Sequence, residues 1–284
     1  MPLSNKKQHT KSEIIMDRLK NIDLFLFDMD GTLYIGNQLF PFTRELLQEI
    51  VAAGKKYLFT TNNSSKSPAD YVKKLAKLGI EATEEDFYTS SQAMGHYLSV
   101  HHPGKRLYVC GTESLKEQLR GCGFTVTEKP EETECIVMGF DMELTFQKLD
   151  DISRMLCTRS LPYLATNPDL VCPTEYGSVP DCGSVCTMIQ NATGKTPIVI
   201  GKPSPLMMEL AMEKMGFDKA RTAVVGDRIY TDIKSGLNAG ILSVLVMSGE
   251  TDEKILAASP EKPDLILADA GEILRILKEE KLKG

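Results

Sequence analysis

Several features that would narrow the function of a 284-residue chain are missing here. No apolar run approaches the roughly 20 residues that a membrane-crossing helix needs, so no membrane partner is expected. The opening stretch, MPLSNKKQHTKSEIIMDRLK, is polar and basic with no apolar central region. It reads as an N-terminal extension over residues 1–20, not as a secretory signal. Positive charge is not in excess: the formal net charge is −6, so nucleic acid is not an expected partner either. The seven cysteines are odd in number and include no C-x-x-C pair, and Cys182 and Cys186 stand four apart without a neighbouring histidine. That pattern argues against a disulfide framework and against zinc, and for thiols in a reducing, cytoplasmic setting.

What is present is an ordinary globular composition, 42% apolar and 25% charged, in a chain long enough for two domains or for one domain carrying a large insertion. Short apolar runs alternate with helical patterns. DLFLF (23–27) reads as a strand, the segment after Pro41 as a helix ending near Gly54, and KYLFT (56–60) as a strand. Ser67 then caps a helix with Pro68 at its first position, lined by Tyr71, Leu75 and Leu78 and stopped by Gly79. The last third repeats the order: strand PIVIG (197–201), a helix over 204–216, strand TAVVGD (222–227), a helix over 231–240, and strands LSVLVM and DLILA. The methionines of the 204–216 helix (Met207, Met208, Met212, Met215) read as core packing. Strands apolar on both faces and separated by helices imply an α/β fold with a doubly wound parallel sheet.

The middle also alternates, with strands near 106–110, 135–139 and 161–166, but none of these ends in a carboxylate before a glycine-rich turn. It reads as a second α/β unit inserted into the first. The expected organisation is a core over 21–88, an inserted unit over 89–196 and the rest of the core over 197–284.

In open α/β sheets ligands bind beyond the carboxyl ends of the strands, and the unusual residues collect there. Strand 23–27 delivers Asp28 and Asp30, strand 56–60 delivers Thr61, Asn62 and Asn63, Lys202 follows strand 197–201, and Asp227 with Asp232 follows strand 222–226. Carboxylates crowded together are tolerable around a divalent cation, and an all-oxygen set without histidine or cysteine points to Mg²⁺. The hydroxyl, the amides and the lysine are donors suited to phosphate oxygens. One carboxylate can then attack phosphorus, while the second protonates the leaving oxygen and later activates water. Blander readings stand beside these: a capping loop at 61–63, an ordinary surface lysine at 202, and a helix cap at Asp232.

The series DMDGTLY, TNNSS, ATNPD, GKPSP, GDRIYTDI and NAG, in this order, resembles the haloacid dehalogenase-like phosphohydrolases, and most closely their NagD and p-nitrophenylphosphatase subfamily. The resemblance runs from about residue 21 to the end of the chain. It implies a Rossmann-like core and a large α/β cap inserted between the second and third motifs. Residue by residue, it implies that Asp28 is the nucleophile and a Mg²⁺ ligand. Asp30 would be the general acid and base, and a ligand through its backbone carbonyl. Thr61, Asn62, Asn63 and Lys202 would serve the phosphate, Asp227 would be a direct metal ligand, and Asp232 would support the metal site or Lys202. In such proteins the cap reads the leaving group, which makes the loops 169–177 and 179–184, with Cys172 and Asp181, the substrate-facing candidates. Relatives acting on pyridoxal phosphate carry histidine where Cys172 stands, which argues against vitamin B6 phosphate as substrate.

The expected function is hydrolysis of a small phosphorylated metabolite: a sugar or polyol phosphate first, a nucleoside monophosphate second, with para-nitrophenyl phosphate as a laboratory substrate. The alternatives are a phosphomutase of the same superfamily and a non-catalytic phosphate-binding regulatory protein. A homodimer through the cap is the assembly considered.

Overall fold

The computed structural model describes residues 18–174 and 176–281, so most of the expected N-terminal extension lies outside the described residues. The chain enters through β1 (Leu24–Phe27), whose four residues are all buried. They alternate between two apolar clusters. Phe25 and Phe27 pack on one side with Phe59 and Val225, while Leu24 and Leu26 pack on the other with Leu58 and Val224. A strand with two buried faces must sit in the middle of a sheet covered on both sides.

That position is observed. A short hairpin, β2 (Tyr34–Ile35) and β3 (Gln38–Leu39), follows β1, and then come β4 (Lys56–Thr61) and β5 (Phe87–Thr89). The inserted unit carries β6 (Arg106–Cys110), β7 (Thr125–Val126), β8 (Cys135–Met138), β9 (Tyr163–Ala165), the hairpin β10 (Val171–Thr174) and β11 (Gly177–Pro180), and β12 (Ile198–Val199). The chain returns to the first sheet with β13 (Thr222–Gly226), β14 (Leu242–Val246) and β15 (Leu265–Leu267). The first sheet is parallel throughout, in the order β15-β14-β13-β1-β4-β5, and the second is parallel in the order β12-β9-β8-β6-β7. In the first sheet the connectivity reverses beside β1, so the crevice at the ends of β4, β1 and β13 is the switch point where ligands of such sheets bind.

The helices form where their stop and start signals stand. Ser67 and Asp70 close a capping box on helix Pro68–Lys77, which begins with its proline. Met207, Met208 and Met212 of helix Pro205–Met215 are buried in the cluster behind β1, as core packing requires. Helix Ser90–His101 packs against both helix Pro205–Met215 and helix Glu113–Gly121. Its Ala93, Met94 and Leu98 share one cluster with Leu26 of the first sheet and Val109 of the second, so the two sheets hold a continuous apolar seam between them. No helix of the described residues is long and apolar enough to cross a membrane.

Two local expectations are corrected. The strand expected over 197–201 in the first sheet is shorter and pairs with β9 of the second. The cause is local: the carbonyls of Ala165 and Thr166 capture the backbone N–H groups of Ile200 and Gly201 at 3.0 and 2.9 Å. The helix expected over 231–240 begins as a π turn, Ile229–Ile233, before regularising over Lys234–Ala239. Such a turn accommodates an extra residue and is frequent at functional sites.

Candidate active site

The site is assembled from the carboxyl ends of three neighbouring strands. Asp28 follows β1, and Gly31, at φ +85°, lets the chain turn back towards the hairpin. Only glycine fits there: a Cβ at Gly31 would lie 2.3 Å from Asp227 Oδ2. Gly249 closes the same carboxylate from the other side, where a Cβ would lie 2.0 Å from it. Asp227 Oδ2 accepts the backbone N–H of Glu250 at 2.6 Å, while its Oδ1 is buried with no hydrogen-bond partner.

Lys202 is the centre of charge. Its Nζ donates to Asp28 Oδ1 at 2.8 Å, to Asp232 Oδ1 at 2.6 Å and to the carbonyl of Thr60 at 3.3 Å. Burial opposes the ammonium, but the charges of Asp232 and Asp28 outweigh it and push the Lys202 pKa above the usual range. All three of its hydrogens are committed, so a phosphoryl oxygen reaches it only by sharing or replacing the contact to Asp28. Asp232 has its second oxygen on the backbone N–H of Arg228 at 3.1 Å. Arg228 is the N-cap of the turn Ile229–Ile233, so Asp232 holds the start of this helical segment with one oxygen and anchors Lys202 with the other.

Asp28, Asp227 and Asp232 each place an oxygen within 4.8 Å of the others. Burial, followed by the charges of Asp28 and Asp232, pushes the Asp227 carboxyl up to about 7. A buried carboxylate oxygen without a partner, crowded by like charges, fits a hard divalent cation. Asp28 and Asp227 would hold it, with Asp232 behind them because both of its oxygens are engaged.

The cavity in front of this cluster measures about 370 Å³. Asp28, Asp30, Thr61, Asn62, Asn63, Cys172, Asp181 and Lys202 line it, whereas Asp227 and Asp232 stand behind Asp28. Asp30 is the most exposed of the acids, 58% in its side chain, with Lys74 Nζ 3.9 Å away and the backbone N–H of Gly36 donating to it at 3.4 Å. Thr61 Oγ1 accepts the N–H of Asn63 at 3.2 Å, and its hydroxyl is also within hydrogen-bonding reach of the buried Tyr71 phenol. Asn63 Oδ1 holds the N–H and hydroxyl of Ser65 at 2.9 and 2.7 Å.

Asn62 differs from the role expected for it. Its amide donates to the carbonyl of Lys202 at 2.8 Å and to Asp169 Oδ2 at 2.9 Å, so neither hydrogen is free for phosphate. It ties the loop after β4 to the Lys202 loop and to the inserted unit. Cys172 lies on β10, and Asp181 caps helix Cys182–Thr193 while facing the cavity.

Lys66, Lys74 and Arg228 also line the cavity and were not singled out from the sequence, whereas Asp169 lines it from the loop 169–177 that was expected to face the substrate. Lys74 lies 4.1 Å from the centre of the Tyr34 ring, and Arg228 is held by Glu250 at 2.8 Å. The available signal was position: Lys66 ends the polar loop after β4, and Arg228 directly follows Asp227.

Comparison with known proteins agrees with this geometry. A family model described as haloacid dehalogenase-like hydrolase matches residues 25–125, and a second model of HAD-like hydrolases matches residues 199–273. The 5'-nucleotidase YutF of Bacillus subtilis is 34% identical over 245 residues, covering 86% of this chain and 94% of that protein. An acid sugar phosphatase of Staphylococcus aureus is 33% identical, covering 81% of this chain and 88% of that protein. The crystal structure of a 4-nitrophenylphosphatase from Thermotoga maritima superposes with a TM-score of 0.86 at 38% identity, covering 91% of this chain and 98% of that one. The chain belongs to the haloacid dehalogenase-like hydrolases, in their NagD and nitrophenylphosphatase branch.

Proposed function

We propose that this phosphatase is Mg²⁺-dependent, cytoplasmic, and works through an aspartyl-phosphate on Asp28. Its substrates would be small phosphorylated metabolites, sugar or polyol phosphates ahead of nucleoside monophosphates. The observation that carries the reading is the Lys202 ammonium clamped between Asp28 and Asp232, beside a buried Asp227 oxygen that has no partner. The names of the sugar phosphatase and the nucleotidase among the relatives support the choice of substrate classes.

An oxygen of Asp28 attacks phosphorus as the bond to the leaving oxygen breaks, and Asp30 gives that oxygen its proton. Asp30 then takes a proton from water, which attacks the phosphoryl group and frees Asp28 and inorganic phosphate. Thr61 and Asn63 orient the phosphoryl oxygens, and Lys202 offsets their charge. Mg²⁺ held by Asp28 and Asp227, with the backbone carbonyl of Asp30, would neutralise negative charge at the reacting group.

The test is Asp30→Asn. Alkyl phosphates leave poorly without a proton, whereas para-nitrophenolate needs little help. Turnover of alkyl phosphates should fall by about 100-fold or more, the usual range for a lost general acid, and para-nitrophenyl phosphate by much less. Equal losses on both would remove Asp30 from that role.

Mg²⁺ binding should also depend on pH in a defined sense. The raised pKa of Asp227 means that between about pH 4 and about pH 7 the metal-free folded protein holds a proton there that the unfolded chain has lost. That proton must leave for the cation to bind. Added Mg²⁺ should therefore raise Tm more at pH 8 than at pH 5, and thermal melts in EDTA and in Mg²⁺ at both values measure it. An equal Mg²⁺ shift at the two pH values would contradict Asp227 as a ligand.

A further inference from the structure

The two units contribute different charges to the cavity. Its cations, Lys66, Lys74, Arg228 and Lys202, all come from segments around the first sheet, and the charge of Arg228 reaches across to Asp181. The inserted unit contributes two carboxylates, Asp169 and Asp181. These two acids are held by shared amides. Asn167 Nδ2 donates to Asp169 Oδ2 at 3.0 Å and to Asp181 Oδ1 at 3.2 Å, and Asn62 reaches the same Asp169 oxygen at 2.9 Å. Asp181 Oδ1 also accepts the backbone N–H of Cys182 at 2.5 Å, capping the helix.

One oxygen of each acid is thus committed to the framework. Asp169 Oδ1 and Asp181 Oδ2 have no hydrogen bond among the described residues, and both residues line the cavity. Capping a helix and tying the cap to the core would use only the engaged oxygens. Asp181 is 5% exposed, and its second oxygen opens only to the cavity, with no protein donor. An ionised carboxylate only accepts hydrogen bonds, so whatever fills this end of the cavity must bring donors.

We propose that Asp169 and Asp181 are specificity-determining residues that select a leaving group bearing hydroxyl donors and reject one bearing a carboxylate or a second phosphate. The proposal rests on the phosphomonoesterase reading above. Hydroxyls of a polyol or sugar can donate to the two open oxygens, whereas an acidic leaving group would meet like charge in a partly desolvated site, which costs several-fold to many-fold in binding.

The experiment measures kcat/KM for glycerol 1-phosphate, a hexose 6-phosphate, 2-phosphoglycolate, phosphoethanolamine and para-nitrophenyl phosphate. The enzymes are the wild type, Asp181→Asn and Asp169→Asn. In Asp181→Asn the amide oxygen still accepts the Cys182 N–H, while the open acceptor becomes an N–H donor and the charge is removed; in Asp169→Asn the amide oxygen likewise still accepts from Asn62 and Asn167. The wild type should prefer the polyol and hexose phosphates to 2-phosphoglycolate by about 10-fold or more, as expected when a hydrogen bond to a charged group is exchanged for repulsion. In either variant the hydroxylated substrates should lose about 10-fold, mainly in KM, 2-phosphoglycolate should gain, and para-nitrophenyl phosphate should lose least.

A wild type that favours 2-phosphoglycolate, or variants that depress all five substrates by one factor, would overturn the proposal. So would a loss confined to phosphoethanolamine, which would assign the acids to an ammonium. If Asp181→Asn does not fold, as judged by its thermal melt, Asp181→Ser keeps a capping oxygen and replaces it, and the wild-type ratio still decides. Absence of any wild-type turnover of para-nitrophenyl phosphate would instead remove the phosphatase reading beneath the proposal.

Discussion

Asp28→Asn should leave less than about 1% of wild-type turnover on every phosphomonoester, the scale of loss expected when a nucleophile is removed. The amide is nearly the same size, so the residual activity reports chemistry and not packing. It cannot form the acyl phosphate, and it withdraws one of the two carboxylate partners of Lys202, whose Nζ lies 2.8 Å from Asp28 Oδ1. The fold should survive. Asp232 still anchors the ammonium at 2.6 Å, and Asp227 loses a like-charged neighbour that pushes its own carboxyl up. A thermal melt alongside the rate measurement checks both halves. The variant should melt at or above the wild-type temperature in EDTA, because relieved repulsion offsets the lost hydrogen bond. Appreciable turnover in a well-folded variant would take the nucleophile's role from Asp28.

Much of this arrangement could be read from the sequence because local and global signals coincide at the strand ends. LFLF is apolar on both faces and stops at a carboxylate, so it marks both the centre of a covered sheet and the position of Asp28. The same holds for TAVVG before Asp227. Lys202 has no such local mark. A lysine before proline is ordinary, and its burial at 2% emerges only when Asp28 and Asp232 converge on it from distant segments. Lys66, Lys74 and Arg228 escaped notice for the converse reason: a basic residue on a polar loop has the same local signature whether it faces a cavity or bulk water. The partner of Ile198–Val199 was illegible because a two-residue apolar strand suits either sheet, and the choice is made by the carbonyls of Ala165 and Thr166. The role of Asn62 was hidden in the same way. An amide in a loop expected to meet phosphate looks available until its hydrogens are counted against Lys202 and Asp169.

Lys202→Met should damage the protein in two separable ways. The side chains of Lys202 and Asp232 are 3% and 1% exposed, so removing the ammonium leaves Asp232 buried without its counter-charge. Breaking a buried pair from one side costs on the order of 3–5 kcal/mol, which should lower Tm by several degrees at neutral pH. Activity should fall about 100-fold or more on all substrates together if, as proposed, Lys202 offsets the charge of the phosphoryl group that they share. Adding Asp232→Asn separates the two effects. The double variant no longer buries an unpaired charge, so it should regain most of the lost stability while its activity stays low. Lys202→Arg is a further check: the longer, planar guanidinium cannot reproduce three contacts to Asp28, Asp232 and the Thr60 carbonyl from one nitrogen, so it should rescue stability better than rate. If the double variant recovered both stability and turnover, Lys202 would be a structural counter-ion only, and the phosphoryl group would have to be stabilised from Lys66, Lys74 and Arg228 instead.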